Sequence, residues 1–182
     1  MFKRGVREPL SEVTNLFRRY LTGEKDEIRI EPKWKIRRFD DEHALKKDDP
    51  YKVSEFKPNL LLNEGITEML TIIASSSGTK WDNANAYLGV GDGTTAESAS
   101  QTGLQGTNKF YKRMYTGFPQ ISGQTVSWMS QFTGTEANFN WREFTVANGN
   151  SDSAKNLNRK VSDQGTKASG QIWELTLQMT FS

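Results

Sequence analysis

Residues 171–181, QIWELTLQMTF, alternate without a break: Trp173, Leu175, Leu177, Met179 and Phe181 fall on one side, and Ile172, Glu174, Thr176, Gln178 and Thr180 on the other. Successive side chains of a strand point to opposite faces, so this stretch presents one greasy face and one mostly polar face. Such a strand needs a second apolar layer to cover it. That requirement sets a two-layer antiparallel β architecture as the frame for the rest of the chain.

The remaining period-two segments fit this frame. Strands are expected at residues 87–90, 110–115, 125–132 and 139–146, separated by Gly-containing turns. Thirteen of the 15 glycines lie beyond Pro58, with many Ser, Thr and Asn, which is the turn vocabulary of antiparallel sheets. The stretch NLLLNEGITEMLTIIA, residues 59–74, instead places Leu62, Ile66, Met69, Leu70 and Ile73 on one helical face, with Asn63 positioned as a cap. The expectation is mainly β: a single antiparallel β-sandwich or jelly-roll-like domain over residues 59–182 with one packed helix.

The first 58 residues differ in chemistry. They carry 15 basic and 12 acidic groups, against 9 and 10 in the rest, although the rest is more than twice as long. Leu10, Val13, Leu16, Phe17, Tyr20 and Leu21 recur at helical spacing, with Ser11 as a candidate cap. EIRIEPKWKIRRFDD then alternates apolar with charged residues around Pro32, which suits an edge strand or an extended arm lying on another surface. Too few apolar groups share a direction to support a core of their own. Residues 1–58 therefore read as a charged N-terminal arm that needs a partner.

Several functional classes can be tested directly. The chain has no cysteine, so disulfides, thiolate metal sites and cysteine nucleophiles are excluded. A formal charge of +2 over 24 basic and 22 acidic groups gives no strong pull toward nucleic acid or membrane. No apolar run is long enough for a membrane helix, and the amino end lacks the apolar stretch of a secretory signal, so a soluble chain is expected.

Gly89-Val90-Gly91-Asp92-Gly93 invites a nucleotide reading, but its third glycine comes one residue early for a dinucleotide fingerprint, and Gly93 is followed by Thr94-Thr95 rather than the Lys of a phosphate loop. A turn or bulge at a strand end fits better. The single histidine, His43, sits beside Asp40 and Asp41 in a run typical of a solvated segment, and Asn148 to Asp152 read as an Asx-rich turn rather than a calcium loop. Glu136 and Glu143 form the one carboxylate pair worth weighing for acid–base chemistry, with nothing to place them across a cleft. Lys33, Trp34, Lys35, Ile36, Arg37, Arg38 and Phe39 form the one basic stretch interleaved with aromatics. The acids that follow blunt it for nucleic acid and favour a protein surface.

Taken in order, NLLLNEGITEML, AYLGVGDGTTAESASQTGL, FTGTEANFNWREFTVANG and LNRKVSDQGTKASGQIWELTLQMTFS resemble small structural proteins of tailed bacteriophage virions, over about two thirds of the chain. The matching positions are Gly89, Gly91, Gly93, Thr94 and Thr95; Ala137, Asn138, Trp141 and Glu143; and Gly170, Trp173 and Leu175. Glu97 and Gln101 depart from the family's usual Pro and Asp.

The resemblance implies a virion part rather than an enzyme, with no cofactor or metal, assembled in the host cytoplasm. A capsid decoration or cement protein is the leading expectation, forming a dimer or trimer and binding the major capsid protein. A tail, baseplate or fibre component is the alternative. A host-glycan module using exposed Trp81, Tyr87 or Trp128 is a third. Under the leading expectation, Trp34, Ile36 and Phe39 would anchor the arm on its partner while Lys33, Lys35, Arg37 and Arg38 set the register. Gly89, Gly91, Gly93, Trp141, Glu143 and Trp173 would be structural.

Overall fold

The computed structural model describes residues 28–57, 59–75 and 77–182. The helix expected over residues 10–21 lies outside the described residues. The fold is mainly β, with two five-stranded antiparallel sheets facing each other. The first sheet comprises β1 (Ile30–Phe39), β2 (Lys52–Phe56), β6 (Gln120–Ser122), β7 (Thr125–Phe132) and β10 (Ile172–Phe181), in the order β2-β1-β10-β7-β6. The second comprises β3 (Leu60–Leu61), β4 (Tyr87–Gly91), β5 (Lys109–Arg113), β8 (Glu143–Ala147) and β9 (Asn158–Val161), in the order β3-β9-β8-β4-β5. Two helices accompany them: α1 (Glu42–Lys46), which links β1 to β2, and α2 (Asn63–Ala74).

β10 behaves as its alternation requires. Trp173, Leu175, Leu177 and Met179 are buried in the inter-sheet core, facing Leu88, Val90, Phe144 and Val146 of the other layer. Aromatic rings bind the layers together. The Trp141 ring centroid lies 4.8 Å from Trp173 and 4.7 Å from Phe132, both edge-on, and Phe144 lies 5.7 Å from Trp34. Trp141 precedes β8, which starts four residues later than the spacing suggested. The chain before it bonds irregularly to residues 164–167, through Trp141 N–H to the Gly165 carbonyl and Lys167 N–H to the Phe139 carbonyl.

The largest departure concerns residues 30–39. They form an internal strand rather than an arm: β1 pairs with β10 from Ile30↔Phe181 to Phe39↔Ile172, and with β2 from Trp34↔Phe56 to Arg38↔Lys52. Trp34, Ile36 and Phe39 are fully buried. The boundary expected at residue 58 therefore does not hold, because both β1 and β2 belong to the sandwich. Pro32 suggested an edge, and locally that is what it has. β2 reaches only as far as Trp34, so Pro32 pairs with β10 alone and a missing ladder donor is tolerated.

α2 also differs in detail. Its N-cap is Leu62 with no side-chain cap, and Asn63 does not fill that role; instead Asn63 N–H donates to the Ala99 carbonyl at 2.8 Å, and Leu62 N–H to Leu157 at 3.1 Å. Gly65 lets the helix lie directly on the sheet, since a Cβ there would come 2.4 Å from Leu157 Cα. Of the expected apolar face, Leu62 is buried, whereas Leu70 and Ile73 remain exposed.

Removing residues 1–27 leaves every strand in place, and cooperative unfolding in denaturant with a sharp near-UV aromatic signal is the expected result. Removing residues 1–40 deletes β1 and abolishes both. Trp34→Ala in the full chain lowers stability by about 3–5 kcal/mol, the usual cost of emptying a buried tryptophan site, measurable as a shifted denaturation midpoint.

Candidate functional site

The glycine-rich stretch and Glu143 prove to be one site. The β4–β8 register places Gly91 directly opposite Glu143. The Glu143 carboxylate is completely buried and turns toward the loop that follows β4. Its Oε1 accepts from the backbone N–H groups of Gly93 (3.2 Å), Gln105 (3.1 Å) and Gly106 (2.7 Å). Its Oε2 accepts from Gln105 N–H (2.9 Å) and from Arg159 Nε (2.9 Å), and lies 2.7 Å from Arg159 Nη2.

The loop thus forms an anion cradle of backbone amides, the same physics that holds a phosphate, and its occupant is a carboxylate of the same chain. This also corrects the reason for the glycines. None of Gly89, Gly91 and Gly93 has a positive φ, so no turn demands them. They provide room: a Cβ would come 2.4 Å from Glu143 Oε1 at Gly91 and 2.6 Å at Gly93. Gly89 lies inside β4, where a Cβ would meet Thr145 and Tyr111.

Arg159, also fully buried, completes the lock. Its Nη1 donates to the Thr95 carbonyl (2.9 Å) and to Gln101 Oε1 (3.0 Å). Gln101 and Glu97 hold this same loop. Gln101 binds Arg159 and the Ala96 carbonyl, and Glu97 accepts from Val161 N–H and pairs with Lys160 at 3.4 Å. Glu64, in the first turn of α2, accepts from Asn156 N–H (3.0 Å) and Gly103 N–H (3.3 Å). Sequence reasoning missed Arg159, Glu64, Gln105 and Gly106. One signal was present for the first: a charged residue opening the apolar run EFTVA of a two-faced buried strand demands a buried partner.

The basic stretch expected to grip a partner is engaged within the domain. Lys33 pairs with Glu55 at 2.9 Å, and Arg37 pairs with Glu174 at 3.0 Å and with Asp48. Arg38 lies 4.5 Å over the Trp173 ring, donates to Ser54 Oγ and to the Gln164 carbonyl and side chain, and has its pKa lowered by burial. Trp34, Ile36 and Phe39 are core residues rather than interface anchors. Lys35 is half-buried on the same strand.

Other candidate groups are dispersed. Glu136 pairs with Lys112 at 2.7 Å, so it shares no site with Glu143, whose partner is Arg159. Asp41 caps α1 by accepting from Ala44 N–H, and among the described residues no three His, Asp or Glu side chains gather as a metal site. Asp152 accepts from Tyr111 Oη and Lys109 Nζ, each at 2.7 Å. Burial raises Tyr111, the contact with Asp152 raises it further, and the same hydrogen bonds outweigh burial to hold Asp152 below its usual range. Trp128 is buried, contrary to its expected exposure, while Trp81 and Tyr87 are half-buried.

Lys167 is buried as well. Its Nζ donates to the Thr133 carbonyl (2.7 Å) and Asn138 Oδ1 (2.9 Å), and burial lowers its pKa to about 8 against a smaller opposing effect of Glu136. Among the described residues no helix is long and apolar enough to cross a membrane. Comparison with family models, curated proteins and solved structures returned no match.

Glu143→Gln should leave buried Arg159 without its counter-charge and cost about 3–5 kcal/mol. The double change Glu143→Gln with Arg159→Met should cost less than the sum of the single changes, as a denaturation-based double-mutant cycle will read. Lys167 gives a pH test. With its folded pKa lowered to about 8 from 10.5, both states carry the proton at lower pH, and the unfolded chain holds more protons between the two values. Stability therefore rises with pH through that window. Wild type should gain on Lys167→Met as pH is raised from about 7 to about 10.

Proposed function

We propose that this chain is a non-enzymatic structural component of a tailed-phage virion, a decoration or cement protein bound to the major capsid protein as a symmetric homo-oligomer. One observation carries the reading. The four stretches that resemble such proteins are spread over the chain, yet their charged and glycine positions converge on one loop: Gly91 and Gly93 from the second, Glu143 from the third and Arg159 from the fourth form the lock, and Glu64 from the first holds the same loop at Gly103. In this reading the acidic groups that could have served chemistry instead hold a surface loop in one shape. A rigid presented surface is what a lattice-binding protein uses, because many copies with modest individual contacts add up to firm attachment.

The correction to β1 moves the docking element. Residues 33–39 are committed to the sheet, so an arm reaching the shell is drawn from the residues that precede Ile30. The variant lacking residues 1–27 should stay folded and lose binding to arm-free particles in a co-sedimentation assay. Undiminished binding of the truncated protein would overturn the arm.

Copy number tests placement on the particle. Quantitative mass spectrometry of purified virions should find on the order of hundreds of copies, in a simple ratio to the capsid protein. A few tens or fewer would place the chain in the tail, baseplate or fibre. Absence from the particle would overturn the virion reading itself.

A further inference from the structure

An apolar groove of about 690 Å³ opens where the described chain begins. Ile28, Met69, Trp81, Ile121, Val126 and Phe181 supply its walls, bringing together α2, the loop after it, the β6–β7 turn and the ends of β7 and β10. Ile28 and Ile121 are more than three-quarters exposed. Clefts of roughly 300–1,000 Å³ hold small organic molecules, so this volume suits a few apolar side chains rather than a whole helix.

Where the chain leads from this groove suggests the occupant. Ile28 is the first described residue and stands in the groove wall. Beside it Arg29 and Ser182 exchange backbone hydrogen bonds of 2.8 and 3.0 Å, fixing the point at which residues 1–27 depart. Those residues carry an apolar stripe at helical spacing, Leu10, Val13, Leu16, Phe17, Tyr20 and Leu21, with Arg18 and Arg19 outside it. Leu21 lies seven positions before Ile28. That stretch spans at most about 25 Å when extended, so the stripe cannot travel far. A short tether holds it near the groove at an effective concentration on the order of millimolar, which favours the same chain over a second copy.

We propose that this groove takes the apolar stripe of residues 10–21 of the same chain, with side chains around Leu16 and Phe17 covering Ile121 and Trp81. The inference concerns the isolated protein and does not rest on the virion reading. Its failure would leave that reading untouched, and loss of the virion reading would leave the groove's occupant unchanged.

The test uses the full chain and two independent variants. Of the five tryptophans, Trp34, Trp128, Trp141 and Trp173 are buried, so acrylamide quenching chiefly samples Trp81, with Trp81→Phe as the control. The double variant Leu16→Asp, Phe17→Asp should raise that quenching markedly and leave the circular dichroism of the β domain intact. Ile121→Asp alters a highly exposed wall residue. It should accelerate tryptic cleavage at Arg18 and Arg19 by about tenfold or more, since cleavage follows the population of the released segment. Both effects should be independent of protein concentration. Unchanged quenching and unchanged cleavage would overturn the proposal. Protection that disappears on dilution would overturn it too, by assigning the groove to a second copy.

Discussion

A carboxylate and a guanidinium buried together, Glu143 and Arg159, hold the most irregular part of this protein in place. Taking two charges out of water is costly, and mutual attraction offsets that cost only when the remaining hydrogen-bonding capacity is filled. Here most of it is filled from an unusual source, with Arg159 Nη2 held by the ion pair alone. Three backbone amides of the loop after β4 and its return converge on the carboxylate, while the guanidinium reaches the Thr95 carbonyl and the Gln101 side chain on the other side. The loop between β4 and β5 has no regular hydrogen-bond ladder of its own, so its shape depends on this pair. Gly91 and Gly93 follow as a consequence, because any side chain there would occupy the space the carboxylate needs.

The second constraint is topological. The first and last described strands are neighbours: β1 lies against β10 over its whole length, and backbone hydrogen bonds between Arg29 and Ser182 extend the pairing. The core therefore closes only when the carboxyl-terminal strand and a segment some 140 positions earlier come together, with Trp34 and Trp173 on the same inner face. Arg38 shares that inward parity, and its charge is accommodated by stacking on Trp173 and by hydrogen bonds to Gln164 and Ser54. An arm able to leave the domain would have to surrender this packing, which is why β1 is part of the fold.

Legibility in the sequence followed the range of the interactions involved. β10 and β7 could be read because their alternation is local and sets an apolar face against a mostly polar one, and α2 because its apolar spacing is helical. β1 was read as extended but misplaced, since a strand that alternates apolar and charged residues looks the same at an edge as beside neighbours that pair its charges, such as Glu55 and Glu174. Gly91 and Gly93 were correctly associated with a strand end, whereas Gly89 lies inside β4. The cause of Gly91 and Gly93 was hidden because it lies in the side chain of Glu143, some fifty residues away. The exposed flank of α2 was read as core for the opposite reason: periodicity identifies an apolar face but not the extent of surface available to cover it, and Gly65 lets the helix settle where Leu70 and Ile73 are left outside.

These features divide the molecule by chemistry. Many of its charged groups are used internally, some buried in the loop lock and others spanning neighbouring strands, so they offer little to a partner that approaches by charge alone. Among the described residues the exposed large apolar side chains include Leu70 and Ile73 on α2, and Ile28 and Ile121 in the groove where α2, the β6–β7 turn and the end of β10 gather. Contiguous apolar surface on a soluble domain marks a place where something is covered. The ionic groups act at one remove, by fixing the frame on which that surface is carried.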